Sequence, residues 1–314
     1  MQDAPNGFDI PMLGLPKDEW LTKLEEVVDE HGYFQPLGDR HFATFVEDKP
    51  TLLVTFETLQ GIQSRGDTGQ PMGFELVREL GWSHLCLMSD GDTWFRDDAV
   101  YRYIDRLVDD GFFEDFQKVI FYGSGACGYA AAAFSVAAPG ATVITVQPQA
   151  TLDPRLAGWD HRFPHTRKMS FTDRYGYAPD MIDAADHAFV LFDPNQTEDA
   201  MHAALFAREN VTLLRMPNMG SKLEPNLLNM QILYRILAQA GGGKLSSASF
   251  NDLYRARRNH KPYLLGLLHK LKGQKRPYLE ALLCANVTQR MKAPRFANHL
   301  NALEQSASEE KRAG

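Results

Sequence analysis

Between Gly123 and Gly128 the chain reads Gly-Ser-Gly-Ala-Cys-Gly. The Ser124 hydroxyl and the Cys127 thiol are candidate nucleophiles, and a thiol in the first turn of a helix is helped toward its ionised form. Gly123, Gly125 and Ala126 are small enough for a tight turn. A helix starting there would offer its backbone N–H groups to a carbonyl, carboxylate or phosphate. Asp193, in Leu-Phe-Asp-Pro, is a candidate acid at a strand end, and Gln147 and Ser221 stand at comparable positions after other apolar runs.

Other chemical groupings are weaker. His161 and His165 have the i,i+4 spacing that can chelate a metal on a helix, but Pro164 breaks the helix that would align them. Asp90 and Asp92 open like a calcium loop that lacks its glycine and closing glutamate. Gly123, Gly125 and Gly128 match a dinucleotide fingerprint, but the segment around Gln147 offers no acid for the ribose. No metal and no cofactor is expected from these patterns.

These residues need a scaffold. Lys118–Tyr122 (KVIFY) is an uninterrupted β-branched and aromatic run, which suits a parallel strand buried on both faces. The alanine-rich stretch from Tyr129 to Val136 predicts a helix directly after the turn. Strands are also expected at 52–56, 83–89, 141–146, 188–192 and 211–216, with a hairpin within 32–48. Helices are expected at 17–31, 72–80, 99–110, 198–207 and 227–240. The alternation predicts an α/β fold with a doubly wound, mainly parallel sheet. Ligands in such folds bind beyond the carboxyl ends of the strands. Residues 147–181 form a long polar segment, expected to be a lid or to carry short helices. From residue 226 onward the pattern is helical only. Residues 1–16 read as an irregular arm, and the last nine residues as a frayed tail.

The chain has 314 residues, a net charge of −7 and 44% hydrophobic residues. Mean hydropathy is −0.33, and no apolar run approaches the ~20 residues of a membrane span. The charge is divided unevenly. From Lys244 to the end there are 14 Lys and Arg against 5 Asp and Glu, so everything before is strongly acidic. An overall acidic chain argues against general nucleic-acid binding. Three scattered cysteines and the lack of a leader pattern suit a reducing cytoplasm.

The segment Gly-Ser-Gly-Ala-Cys-Gly-Tyr-Ala-Ala-Ala-Ala-Phe-Ser resembles Gly-Ser-Ser-Met-Gly-Gly-Tyr-Ala-Ala-Leu-x-Phe-Ser of a bacterial branch of the α/β-hydrolase superfamily. The resemblance covers about residues 50–235 and implies a nucleophile elbow, G-x-S-x-G, beginning at Gly123. In that frame Gly125 stands where the nucleophile should be, Cys127 replaces the last glycine, and Asp193 falls at the acid position. Ser221, after Gly220, stands where a histidine should be. The resemblance therefore implies an α/β-hydrolase-like domain over residues 1–240, a lid-like segment at 150–182 and a basic helical extension over 241–314. It also implies an eroded triad that binds a small molecule or a protein partner. An alternative is an unorthodox esterase or acyltransferase using Ser124 or Cys127. The chain is also similar to chains named phosphoadenosine phosphosulfate reductase. The S-G-G-x-D-S loop and E-C-G-x-H cysteine of that chemistry are missing here, and Cys284 sits in an apolar helix pattern.

Overall fold

The computed structural model describes residue 8, residues 10–65 and residues 68–313. Eight strands form one sheet: β1 (Gly32–Leu37), β2 (His41–Val46), β3 (Lys49–Thr58), β4 (Trp82–Ser89), β5 (Lys118–Ser124), β6 (Thr142–Val146), β7 (His187–Phe192) and β8 (Val211–Arg215). Their order is β1-β2-β4-β3-β5-β6-β7-β8. β2 is antiparallel to both neighbours and all other pairs are parallel. The fold is α/β, doubly wound and α/β-hydrolase-like.

Helices α1 (Lys17–Val28), α2 (Leu59–Ser64), α3 (Gly73–Leu80), α4 (Asp98–Asp109) and α5 (Ala126–Phe134) accompany the first five strands. Then come α6 (Pro154–Ala157), α7 (Ala178–Met181), α8 (Thr197–Leu205), α9 (Leu223–Asn229) and α10 (Leu233–Gly241). The chain ends with α11 (Ser247–Tyr254), α12 (Lys261–Gly273), α13 (Pro277–Arg290) and α14 (Pro294–Ala313).

Strand periodicity divides the core. In β3 and β5, Val54, Phe56, Val119 and Phe121 face one cluster with α4 and α5. Leu53, Ile120 and Tyr122 face the other, with α9, α10 and α11. A third cluster joins α1 and α3 to β2 and β4 through Trp20, Phe74, Phe42 and Met88.

Several expectations need correction. Between β3 and α3 the chain holds a helix absent from the expected set, α2, whose first turn is capped by the Thr58 hydroxyl accepting from the Gly61 N–H. The helix expected at 227–240 is two helices, because Gln231 adopts a left-handed φ of 58°. The final residues continue α14 to Ala313 rather than fraying from residue 306. Of the arm at 1–16, residues 1–7 and 9 lie outside the described residues, while Phe8 and Met12 are buried. The extension expected from residue 241 shares the main core through Phe250, Leu253 and Tyr254 of α11. It has a core of its own, with Leu264, Leu268, Cys284, Val287 and Phe296, only from α12 onward.

The segment at 150–182 carries α6, α7 and two 3₁₀ turns. It is tied down. The guanidinium of Arg96 donates to the Ser170 and Arg174 carbonyls, at 2.9 and 2.6 Å, and pairs with Asp173. Tyr129 donates to the Tyr175 carbonyl at 2.7 Å, and Trp94 packs edge-on against Phe163 and Phe171. Among the described residues, no helix is long and apolar enough to cross a membrane.

Candidate functional site

The turn between β5 and α5 is an elbow. Gly125 holds φ 59° and ψ −125°, a conformation that a side chain adopts only under strain. Its amide donates to the Val146 carbonyl at 2.8 Å, and its carbonyl accepts from Tyr129 at 2.9 Å. A Cβ on Gly123 would come within 2.1 Å of the Cys127 carbonyl oxygen, so glycine is required for α5 to sit this close to β5. A Cβ on Gly125 would meet nothing within 4 Å. The space that a nucleophile would fill is therefore present and empty of side chain.

The other predicted residues are divided between this elbow and structural work. Ser124 ends β5, is half-buried and lines a groove beside the elbow. Ala126 and Cys127 line the same groove. Cys127 lies in the first turn of α5 as expected, but burial, with the Glu224 and Glu57 carboxylates adding to it, pushes its thiol pKa well up. It is therefore a poor nucleophile, because the thiolate is the attacking form. The expectation of a helix-activated thiol fails on desolvation, which outweighs the helix terminus.

Asp193 follows β7 at full burial, at the position expected of the acid. Its Oδ1 accepts the Asn195 and Asn218 amides at 2.9 and 3.2 Å, and its Oδ2 accepts the Gly220 amide at 2.7 Å. The carboxylate binds the backbone of the loop that would carry a histidine. Ser221 is exposed. Lys270 of α12 reaches that loop and donates to Asn218 Oδ1 at 2.6 Å. Gln147 does not face the groove. Its amide nitrogen donates to Asp199 at 2.7 Å and its Oε1 accepts the Leu223 amide at 3.0 Å, locking α8 to the start of α9. Gly123 is buried beneath α5.

The groove has two lobes that share Gly61, Arg65 and Glu224. The lobe at the elbow holds about 220 Å³ and includes Phe56, Glu57, Asp92 and Ser124. The outer lobe holds about 430 Å³ and includes Leu228 and Tyr234. A larger cavity of about 590 Å³ lies near Lys118, Asp186 and His187, at the opposite ends of the strands. The elbow groove is the better candidate, since ligands of such sheets bind at the carboxyl ends.

The sequence reading missed the chemistry that fills this groove. Glu57, 2% exposed at the end of β3, pairs through Oε2 with Arg65. It also accepts the Met72 amide at 3.1 Å at the start of α3, and the Thr55 hydroxyl at 2.9 Å. Arg65 lies 3.8 Å from Glu224, which accepts the buried Tyr122 hydroxyl at 2.7 Å. Burial alone would lower the guanidinium pKa, and the Glu57 and Glu224 charges outweigh it, so Arg65 stays cationic. Tyr122 is held neutral by burial and by Glu224, and burial pushes Tyr234 up to about 12. Two carboxylates, Glu57 and Glu224, thus flank one guanidinium, and Asp92, 3.5 Å from His165, lines the same groove. The only sequence signal was the position of Glu57 at a strand end; Arg65 stands eight residues later, just after α2, and Glu224 comes from a helix far along the chain.

No family model matches this sequence, and no curated protein matches it. Solved structures do resemble it. The Glycosylation Associate Protein (Gap123) complex from Streptococcus agalactiae matches at 12% identity and TM-score 0.45, over 69% of this chain and 47% of that one. The match thus spans about half of that chain's length. Est1E from Butyrivibrio proteoclasticus matches at 12% identity and TM-score 0.40, over 67% of this chain and 99% of that one. The capsule O-acetyltransferase of Neisseria meningitidis serogroup A matches at 11% identity and TM-score 0.40, over 59% and 85%. Likeness at this level concerns the fold alone; strand order and the elbow carry the assignment made above.

Proposed function

We propose that this chain is a non-hydrolytic α/β-hydrolase-like protein that holds a small polar ligand in the groove beside its elbow. The observation that carries the reading is Gly125, which keeps the elbow conformation and open space but has no side chain to attack with. A nucleophile and its base act as a unit, and among the described residues no histidine lines the groove. Asp193 has no imidazole to orient, since three backbone amides take its carboxylate. What the groove offers is recognition: Glu224, Asp92 and Arg65 for charged or hydroxylated groups, and Leu228 and Tyr234 for an apolar part. The bacterial branch and a cytoplasmic location belong to this proposal. Three buried, free thiols fit a reducing compartment.

A second reading, ester or acyl transfer by Ser124, is favoured by one observation: the residue is half-buried and lines the groove. A phosphosulfate-reductase chemistry finds no exposed thiol, since Cys86, Cys127 and Cys284 are all buried. Intact-mass analysis after treatment with a fluorophosphonate decides between the first two. The binding reading expects no adduct on folded protein, and it expects small molecules that raise the melting temperature to lose that effect in Glu224→Gln. A single adduct that Ser124→Ala abolishes would replace it with the hydrolase reading.

A further inference from the structure

Large apolar side chains left exposed on this protein gather on α13, where Tyr278 is 74% exposed, Leu279 37% and Leu282 50%. Tyr278 and Leu282 stand one turn apart, on the face opposite the buried Cys284 and Val287. Just before them, Lys272, Lys275 and Arg276 are exposed at the tip where α12 turns into α13. These three form no ion pair among the described residues. No Asp or Glu occurs between Asp252 and Glu280, a stretch that holds eight Lys and Arg. An exposed tyrosine and leucines with a cationic rim have the composition of a protein interface.

The complementary surface lies at the amino ends of the strands. The cavity of about 590 Å³ there has apolar walls that include Phe113, Phe116 and Val119, with Val108, 47% exposed, beside them. Its size falls within the roughly 300–1,000 Å³ of pockets that enclose organic groups. Glu114 and Asp186 line it, and Asp109, Asp110 and Asp115 are exposed on the same stretch of chain as Glu114. None of these five acids forms an ion pair among the described residues. Lys118, which also lines the cavity, is engaged by the Gly241 carbonyl at 2.7 Å. No described residue of α12 or α13 lines it, so tip and cavity do not meet within one chain. We propose that the α12–α13 tip of one chain docks in this cavity of a second copy. Tyr278 and Leu282 enter it, and Lys272, Lys275 and Arg276 face the acids.

Reciprocal docking closes a pair about a two-fold axis, since each chain gives one tip and receives another. The buried aromatic ring carries most of the affinity of such a contact, and the charged rim steers the approach and fixes the register. A second copy is favoured over a phosphate-rich surface because it supplies both halves of the match. Its cavity offers an apolar wall to Tyr278 and Leu282 as well as acids to the rim. A nucleic acid or an anionic membrane answers the cations, but either would repel the strongly acidic remainder of the chain. The elbow groove, at the other ends of the strands, takes no part in this contact.

The test is sedimentation velocity of the full chain at low and high salt. A dimer is expected at low salt, dissociating as salt rises past about 0.1 M, where screening shortens to ~10 Å. Tyr278→Ala should weaken the association by about 30-fold. Two triple variants then decide the partner. One reverses the tip (Lys272→Glu, Lys275→Glu, Arg276→Glu), and the other reverses the cavity rim (Asp110→Lys, Glu114→Lys, Asp186→Lys). Each alone should be monomeric, because like charges then face each other. Mixed together they should dimerise, since both contacts of the mixed pair again join opposite charges. All six residues are exposed, and circular dichroism checks that the variants fold; if the rim variant does not, Glu114→Lys alone takes its place. A wild-type chain that is monomeric at low salt overturns the proposal, as does a mixture that stays monomeric or a dimer that either variant leaves intact. Monomeric wild type that binds vesicles of anionic lipid, and loses them with Tyr278→Ala, would assign the tip to a membrane instead.

Discussion

The elbow and the end of β3 border the same groove and are built from opposite materials. At the elbow the backbone has the demanding geometry and the side chains have withdrawn: Gly125 presents open space and Gly123 permits close packing. At β3 the backbone is ordinary strand and the side chains are dense with charge, with Glu57, Arg65, Glu224 and Tyr122 in one connected set. Backbone geometry persists without its chemistry because α5 must still pack on β5 and β6. The charge set persists only if every member is paired, since an unpaired buried ion is unstable.

That contrast predicts where substitutions hurt. Arg65→Ala leaves Glu57 buried without its cation and should lower stability by about 3–5 kcal/mol in urea denaturation. Adding Glu57→Gln to Arg65→Ala should recover part of the loss; a single variant within about 0.5 kcal/mol of wild type, the range of neutral surface changes, would end the contrast.

Acid should act through a group outside both regions. His41, 2% exposed, has its pKa lowered to about 4, first by burial and then, against the raising effect of Asp97, by Arg40. The unfolded chain therefore binds a proton below pH ~6.5 that the folded chain refuses until about 4, so stability falls as pH drops through that window. The loss approaches roughly 3 kcal/mol at its lower end. His84 is lowered to about 4 by burial as well, so His41→Gln should reduce the slope of stability against pH in this window without abolishing it, and an unchanged slope would remove His41 from the acid response.

Asp193→Asn keeps the shape but weakens acceptance of three amides, and a loss of about 1.5–3 kcal/mol is expected, with no change in any residual ester turnover. Turnover that falls with this variant would return Asp193 to catalysis. The smallest effect belongs to Gly125→Ser. Its Cβ meets nothing, so only backbone strain of roughly 1–3 kcal/mol opposes it. The variant should fold and still show no fluorophosphonate adduct, for want of a base; labelling would show that the groove supplies one.

Much of the frame was legible in the sequence. Lys118–Tyr122 and the small residues after it predicted the β5–α5 elbow, because period and residue size act within a few positions. Cys127 was placed in the first turn of the helix for the same reason. Gln147 was misread as a pocket residue: its strand-end position is local, but its partners Asp199 and Leu223 are not. The segment at 150–182 looked like a lid by length alone, and its fixation depends on Arg96 and Tyr129.

By itself, then, the sequence determined the strands, the elbow and the absence of a side chain at residue 125, all of which are short-range properties of the chain. Only the tertiary structure decided that Glu57, Arg65 and Glu224 meet and that Asp193 is consumed by amides. It also decided that His84 and Cys86 lie beside Glu57. Burial and pairing of charges depend on which distant segments the sheet order brings together, and β3, β4 and β5 become neighbours only when the sheet is assembled.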